Sequence, residues 1–387
     1  MPATDRSVDV LLVGGGVASV RCARSLRRHG FDGSILLAGD EDRPPYNRPP
    51  LSKELLRDDL PDDLLAAESA SWYARRSIEL LTDARIAAID SDARRATLEN
   101  GSTVAFERCL IATGAEPRRL SIPGAEHALM LRTAPDARRI RAAAVEAPRG
   151  APVVVIGGGF IGLEVASALA QVGLRPTVVE VAHSVWSGAL GSGLAGWAAG
   201  RLAEMGIELR MGSTATRLDE GAAWLGEDRL AAAFVVACIG VDPRVDLAVA
   251  AGIATADGIL VDPDQRTSHA AIWAAGDVAR VNGRRVEHWH AAREAGERAA
   301  LSMLGLAVPP PPPAWVFSEI GGTMLDVIGA VDGWDEERWL KPDRLLAYLD
   351  SGRLVGLASI DTALPAEAAR RLLAEDATPE EAAAAAG

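Results

Sequence analysis

Two glycine clusters could bring bare backbone up to a phosphate. Residues 8–19 read V-D-V-L-L-V-G-G-G-V-A-S, and residues 153–162 read V-V-V-I-G-G-G-F-I-G. Gly157, Gly159 and Gly162 complete a G-x-G-x-x-G spacing, with Phe160 and Ile161 between the last two. Gly14 and Gly16 keep the first two places of the same spacing, and Ser19 takes the third. The first glycine allows a tight turn, the second admits a pyrophosphate against the chain, and a small third residue lets a helix pack close to its strand. The helix that follows points free N–H groups and a positive dipole end at the anion.

A carboxylate follows each cluster a little over twenty residues after its second glycine: Asp40 in the first copy and Glu180 in the second. An acid there hydrogen-bonds ribose hydroxyls, and Glu180 favours NADH over NADPH because it repels a 2′-phosphate. His183 lies close enough to temper that preference.

Such groups need elements to hold them. Apolar strands from Val8 and from Val153 run into the glycines. Helices follow over Val20–Arg28 and Leu163–Val172, closing near Gly30 and Gly173. Second strands follow at Ile35–Ala38 and Thr177–Val179. Strand, glycine turn, helix and strand, twice over, define an α/β protein with two Rossmann-like dinucleotide-binding domains and room for two nucleotides.

Composition narrows the class. The chain has 387 residues, enough for two or three domains. Its formal net charge of −13 argues against nucleic acid, whose affinity rests on phosphate attraction. No apolar run approaches the length that spans a bilayer, and Asp5 and Asp9 break any signal-like segment, so a soluble, cytoplasmic protein is expected, monomeric or homodimeric. Cys22, Cys109 and Cys238 form no C-x-x-C pair and read as buried hydrophobes; no metal site is expected.

Further stretches resemble the FAD-dependent pyridine nucleotide oxidoreductases. Arg108–Gly114, containing Ala112-Thr113-Gly114, is similar to the segment that links their FAD and NAD domains; Phe234–Gly240 is similar to the return crossing. Thr267 with Ala274-Ala275-Gly276-Asp277 matches T-x6-A-x-G-D, whose aspartate binds the ribityl chain of FAD in the family. Within that family Tyr46-Asn47-Arg48-Pro49-Pro50-Leu51-Ser52-Lys53 resembles the R-P-P-L-S-K segment of ferredoxin reductases serving Rieske oxygenases and cytochromes P450. Rubredoxin reductases and apoptosis-inducing factor share it.

The resemblance implies roles. Lys53 and Glu164 would pair beside the flavin N5 as the catalytic residues. Glu287-His288-Trp289 would open the last FAD-domain helix, whose dipole faces the flavin pyrimidine. FAD would be held by Gly14, Gly16, Ser19, Asp40, Arg48, Lys53, Thr113, Gly114, Gly276, Asp277, Glu287, His288 and Trp289. NADH would be held by Gly157, Gly159, Phe160, Ile161, Gly162, Glu180 and Gly240. The implied domains are 1–111 with 238–308 for FAD, 112–237 for NADH, and a small α+β domain at 314–387.

Pro309–Pro313 reads as a stiff extended linker. Beyond it, strands are expected at 314–318, 323–330, 345–349 and 354–360, a helix at 366–373, and, from Thr378, a Thr-Pro-Glu-Glu helix start leading into an alanine-rich tail that frays. Trp315-Val316-Phe317-Ser318 and then Glu319-Ile320-Gly321-Gly322 stand where the family usually shows W-F-W-S and an acidic, aromatic stretch. The surface offered to a partner therefore differs here.

The expected activity is electron transfer from NADH through FAD to a [2Fe–2S] ferredoxin. Disulfide reductases and NADH peroxidases of this fold need a cysteine in a region that has none, between Cys22 and Cys109. Alternatives are reduction of rubredoxin or another carrier, an oxidase-like diaphorase, or a signalling flavoprotein resembling apoptosis-inducing factor. Arg48, Arg284, Arg285 and Arg293 form a candidate basic patch for an acidic carrier.

Overall fold

The structure is a computed structural model and describes residues 5–329 and 333–387; the expected strand residue Ala330 lies outside the described residues. The chain forms two compact units, one of residues 1–47, 61–116 and 241–311, the other of 48–60, 117–240 and 312–387.

In the first unit a seven-stranded sheet is built around the strand Asp5–Val13. Ile78–Leu81, Ile35–Ala38, Asp5–Val13, Thr103–Ile111 and Ile272–Ala274 run parallel, while Arg95–Leu98 and Ile86–Asp90 extend the sheet antiparallel. The register pairs Val13 with Ala38 and Ile111, and Ile111 with Ala274, so four strand ends share one edge. Alternate side chains feed opposite faces. Leu11, Cys109 and Ile111 enter one apolar cluster, and Val10, Leu12 and Leu110 enter another beneath the helices Val17–Arg28 and Trp289–Met303. Those helices pack closely, because a Cβ on Gly296 would lie 2.1 Å from the Ala18 carbonyl oxygen.

The second unit repeats the plan. A five-stranded parallel sheet runs in the order Glu208–Met211, Arg175–Glu180, Pro152–Ile156, Val235–Ala237, Ala128–Met130. Ile156 is in register with Val179 and Ala237, again aligning the strand ends. A five-stranded antiparallel sheet follows in the same unit, ordered Trp315–Ile320, Thr323–Gly329, Arg353–Ile360, Leu345–Asp350, Glu336–Lys341. The strand Glu336–Lys341 went unread in the sequence. It is an edge strand with charged residues on both faces, so it carries no apolar alternation.

The helix Ala366–Ala374 packs on that sheet. The tail, expected to fray, forms the helix Pro379–Ala385. A capping box between Thr378 and Glu381 closes its first turn, and Ala382 is buried. Among the described residues no helix is long and apolar enough to cross a membrane.

Candidate functional site

Each glycine turn sits at the C-terminal edge of its parallel sheet, where open α/β sheets bind ligands. Gly14 has φ +113°, and a Cβ there would lie 2.2 Å from the Ala112 carbonyl oxygen. Gly157 has the same φ, and a Cβ there would lie 2.1 Å from the Cys238 carbonyl oxygen. These two glycines are demanded by the chain itself. Gly16 and Gly159 differ, for a Cβ on either meets no described heavy atom within 4 Å. Gly16 and Gly159 are also the N-caps of their helices, with no side-chain cap and no acid in the first turn. Amide groups left open beside clear space fit the pyrophosphate of a dinucleotide at both turns.

The third positions are not equivalent. A Cβ on Gly162 would lie 2.0 Å from the Gly157 carbonyl oxygen, whereas Ser19 carries a full side chain, buried, with its hydroxyl lacking any partner among the described residues.

In the first unit the strand ends bring Gly14, Asp40, Thr113, Gly114, Gly276 and Asp277 to one sheet edge. The Asp40 carboxylate accepts from Arg244 at 2.7 Å. Thr113 donates its hydroxyl to the Arg244 carbonyl at 2.8 Å, and the Arg244 amide donates to the Gly114 carbonyl. His288 is the N-cap of Trp289–Met303; burial pushes its imidazole pKa below the usual value, and Asp277 pulls the other way. Trp289 donates its indole N–H to Asn47 at 3.3 Å and carries Arg293 over its ring. The Glu287 carboxylate pairs with Arg285, whose side chain is only 7% exposed and also meets Asp257. Arg285 is thus a structural ion-pair partner rather than an open charge of the expected basic patch.

In the second unit Glu180 is tied to the turn. Its carboxylate accepts from the Gly158 amide at 2.5 Å and the Ala182 amide at 2.8 Å. Ile161 is exposed just past the turn, and Gly240 takes φ +97° at the end of the neighbouring crossing. Three residues beyond Glu180, at His183, opens a cavity of about 1050 Å³, walled in part by Met211, Trp334, Glu337 and Trp339.

Arg48 and Lys53 pack with this second unit. Arg48 donates to the Arg132 carbonyl. The Lys53 ammonium donates to the Glu164 carboxylate at 2.6 Å and to the Pro49 carbonyl at 3.2 Å, and it lies 5.6 Å from the centre of the Phe317 ring. Both members of the pair are buried. Two hydroxyls complete the arrangement: Ser52 donates to the Glu164 Oε2 at 2.5 Å and Ser318 to its Oε1 at 2.7 Å. A buried carboxylate is tolerable here because an ammonium and two hydroxyls all donate to it. Cys238 is close enough that Glu164, after burial itself, helps push its thiol up to about 12. Burial also raises the thiols of Cys22 and Cys109 well above their usual value, so all three are poor nucleophiles at neutral pH.

Three features escaped the sequence. The roles of Ser52 and Ser318 depend on contacts to Glu164 across 112 and 154 residues. Trp186 has φ +56°, is buried with its indole N–H unpartnered among the described residues, packs on Phe160 at 5.6 Å, and donates its amide to the Gly158 carbonyl. A bulky residue held in that backbone conformation beside the turn was a signal only coordinates could give.

Two dinucleotide folds in one chain, joined to a small antiparallel domain, define a flavin and pyridine nucleotide oxidoreductase architecture. Residues 8–296 match the pyridine nucleotide-disulphide oxidoreductase family, and the chain belongs to it; it is an oxidoreductase dependent on FAD and a pyridine nucleotide. Relatives include the ferredoxin reductase component of chlorobenzene dioxygenase from Cupriavidus sp. (strain PS12), 34% identical over 94% of this chain and 92% of the relative. A rubredoxin-NAD(+) reductase from Pseudomonas putida is 32% identical over 84% of this chain and 88% of its own. Among solved structures, the ferredoxin reductase for the CYP199A2 system of Rhodopseudomonas palustris superposes with a TM-score of 0.91 at 32% identity, covering 97% of each chain.

Proposed function

We propose that this protein takes a hydride from NADH and passes the electrons singly to a [2Fe–2S] ferredoxin serving an oxygenase or a cytochrome P450. The observation that carries the reading is the buried Lys53–Glu164 pair beside the second of two open glycine turns. It stands in a chain similar to proteins named as ferredoxin reductase components. FAD is assigned to the first glycine turn and NADH to the second, with domains at 1–111 plus 238–308, 112–237 and 314–387.

FAD, when bound, supplies hydride acceptance from NADH and one-electron release to two carrier molecules in turn. The residues supply placement. Lys53, steadied by Glu164, would supply its ammonium to the flavin. Asp277 would hold the ribityl chain, and the N-terminal amides of Trp289–Met303 would favour negative charge on the reduced flavin. Glu180 holds the adenosine ribose and repels a 2′-phosphate, selecting NADH; the cavity at His183 receives the adenosine end. Disulfide reduction is disfavoured by three thiols with raised pKa values, those of Cys22 and Cys109 buried and that of Cys238 half-buried.

The test is NADH-driven cytochrome c reduction with and without a [2Fe–2S] ferredoxin. A large ferredoxin-dependent rate supports the proposal. Bleaching of the flavin by NADH without such a rate overturns the ferredoxin role. The likeness to a rubredoxin reductase makes rubredoxin the second carrier to assay.

A further inference from the structure

We propose that Ser318, assisted by Ser52, is a positioning residue for hydride transfer, so that the first strand of the C-terminal domain is part of the reaction site. The inference rests on the proposed placement of Lys53 beside the flavin.

Trp315–Ile320 alternates strictly, with Val316, Ser318 and Ile320 buried and the residues between them less so. Val316 and Ile320 are apolar, as a core-facing row requires. Ser318 breaks that row while fully buried, and a buried hydroxyl without a partner is costly. Its partner is Glu164 Oε1.

The geometry gives the hydroxyl a job beyond satisfaction. Glu164 Oε2 already receives both Ser52 and Lys53. With only that oxygen held, the carboxylate could swing about its terminal bond and carry the Lys53 ammonium with it. Ser318 pins the other oxygen and fixes the plane. Lys53 then spends one N–H on Glu164 and one on Pro49, leaving the third without an acceptor among the described residues. Phe317, next to Ser318, closes one side of the ammonium.

The strand is anchored for this purpose. Glu164, Ser167 and Gln171 lie along one face of the helix Phe160–Gln171. Ser318 bonds Glu164, and the Gly321 amide donates to Ser167 at 2.5 Å. Arg57 joins Gln171 to Glu319, and Arg201 donates to the Gly321 carbonyl. A one-residue slip of the strand would aim Ser318 to the opposite face.

The experiment compares Ser318→Ala, Ser318→Cys, Ser52→Ala and Glu164→Gln as FAD-loaded proteins. Stopped-flow flavin reduction by NADH, the NADH dissociation constant and the flavin midpoint potential are read for each. Ser318→Ala and Ser318→Cys should slow reduction by about three- to tenfold with NADH binding unchanged, and should shift the midpoint potential in the direction seen for Glu164→Gln. Cysteine keeps the serine's shape but donates weakly, so a wild-type rate and potential in Ser318→Cys would reduce Ser318 to packing and overturn the inference. Should Ser318→Ala fail to hold FAD, Ser318→Cys and Ser52→Ala decide by the same criteria. A response to Glu164→Gln alone overturns the inference and leaves the flavin placement standing. No response from any variant overturns both.

Discussion

Glu180 carries two duties with one carboxylate. It accepts the Gly158 and Ala182 amides, fixing the shape of the turn, and it presents negative charge where an adenosine ribose would lie. Glu180→Ala leaves two amides short of an acceptor, at a cost of about 1–3 kcal/mol. It also removes the repulsion of a 2′-phosphate, so the ratio of kcat/KM for NADPH over NADH should rise by about tenfold or more. Steady-state kinetics with both nucleotides, beside a thermal melt, separate the two effects.

His288 makes a prediction of a different kind. Its folded pKa lies below the ordinary 6.5, chiefly because burial disfavours the imidazolium. The unfolded chain therefore binds the proton more readily, and stability falls as pH drops below the unfolded value. The Tm of wild type should decline from about pH 7 to about pH 5 more steeply than that of His288→Asn. Parallel slopes would show that His288 is not a source of the acid sensitivity.

At the scale of elements, glycines that look alike in the sequence divide by what surrounds them. Gly157→Ala forces a methyl to 2.1 Å from the Cys238 carbonyl oxygen at φ +113°, and should cost about 2–4 kcal/mol of stability. Gly159→Ala meets no described atom within 4 Å at φ −79°, and should leave stability within about 1 kcal/mol while weakening NADH at least about tenfold, since the methyl occupies the pyrophosphate's approach. Melting curves and NADH titrations of the pair test both halves. Equal loss of stability in the two variants would contradict the division. The same distinction explains what could be read from sequence. Spacing gave the turns, the helices behind them and the acids at the strand ends, because those signals are local. It also gave Gly157 the tight turn and Gly159 the approach of the pyrophosphate, but it could not show that the Cys238 carbonyl, just past the strand Val235–Ala237, is what closes the space at Gly157. Nor could it find Ser318, whose partner is on another element. Glu336–Lys341 hid as a charged edge strand, while the alanine tail, whose Thr-Pro-Glu-Glu helix start was legible, also gained order from a buried Ala382, which composition does not reveal.

At the scale of the whole molecule, a chain with net charge −13 would receive the acidic ferredoxin proposed for it through local positive charge. Neighbouring arginines in the sequence are not interchangeable candidates. Arg285 is nearly buried between Asp257 and Glu287, so its charge is already spent within the fold. Arg284, beside it, is exposed. Arg285→Glu places a carboxylate between two others, one of them 3.2 Å from the present guanidinium, and should lower the Tm before it alters docking. Arg284→Glu should leave the Tm within about a degree or two, because exposed charges contribute little to stability. If Arg284 belongs to the docking surface, its reversal should raise the KM for ferredoxin several-fold at low ionic strength. The difference should shrink as salt shortens the screening length from about 10 Å at 0.1 M toward about 3 Å at 1 M. A KM that is unchanged by Arg284→Glu at low salt would move the docking surface elsewhere, while flavin reduction by NADH, measured in the same preparation, should be indifferent to either outcome.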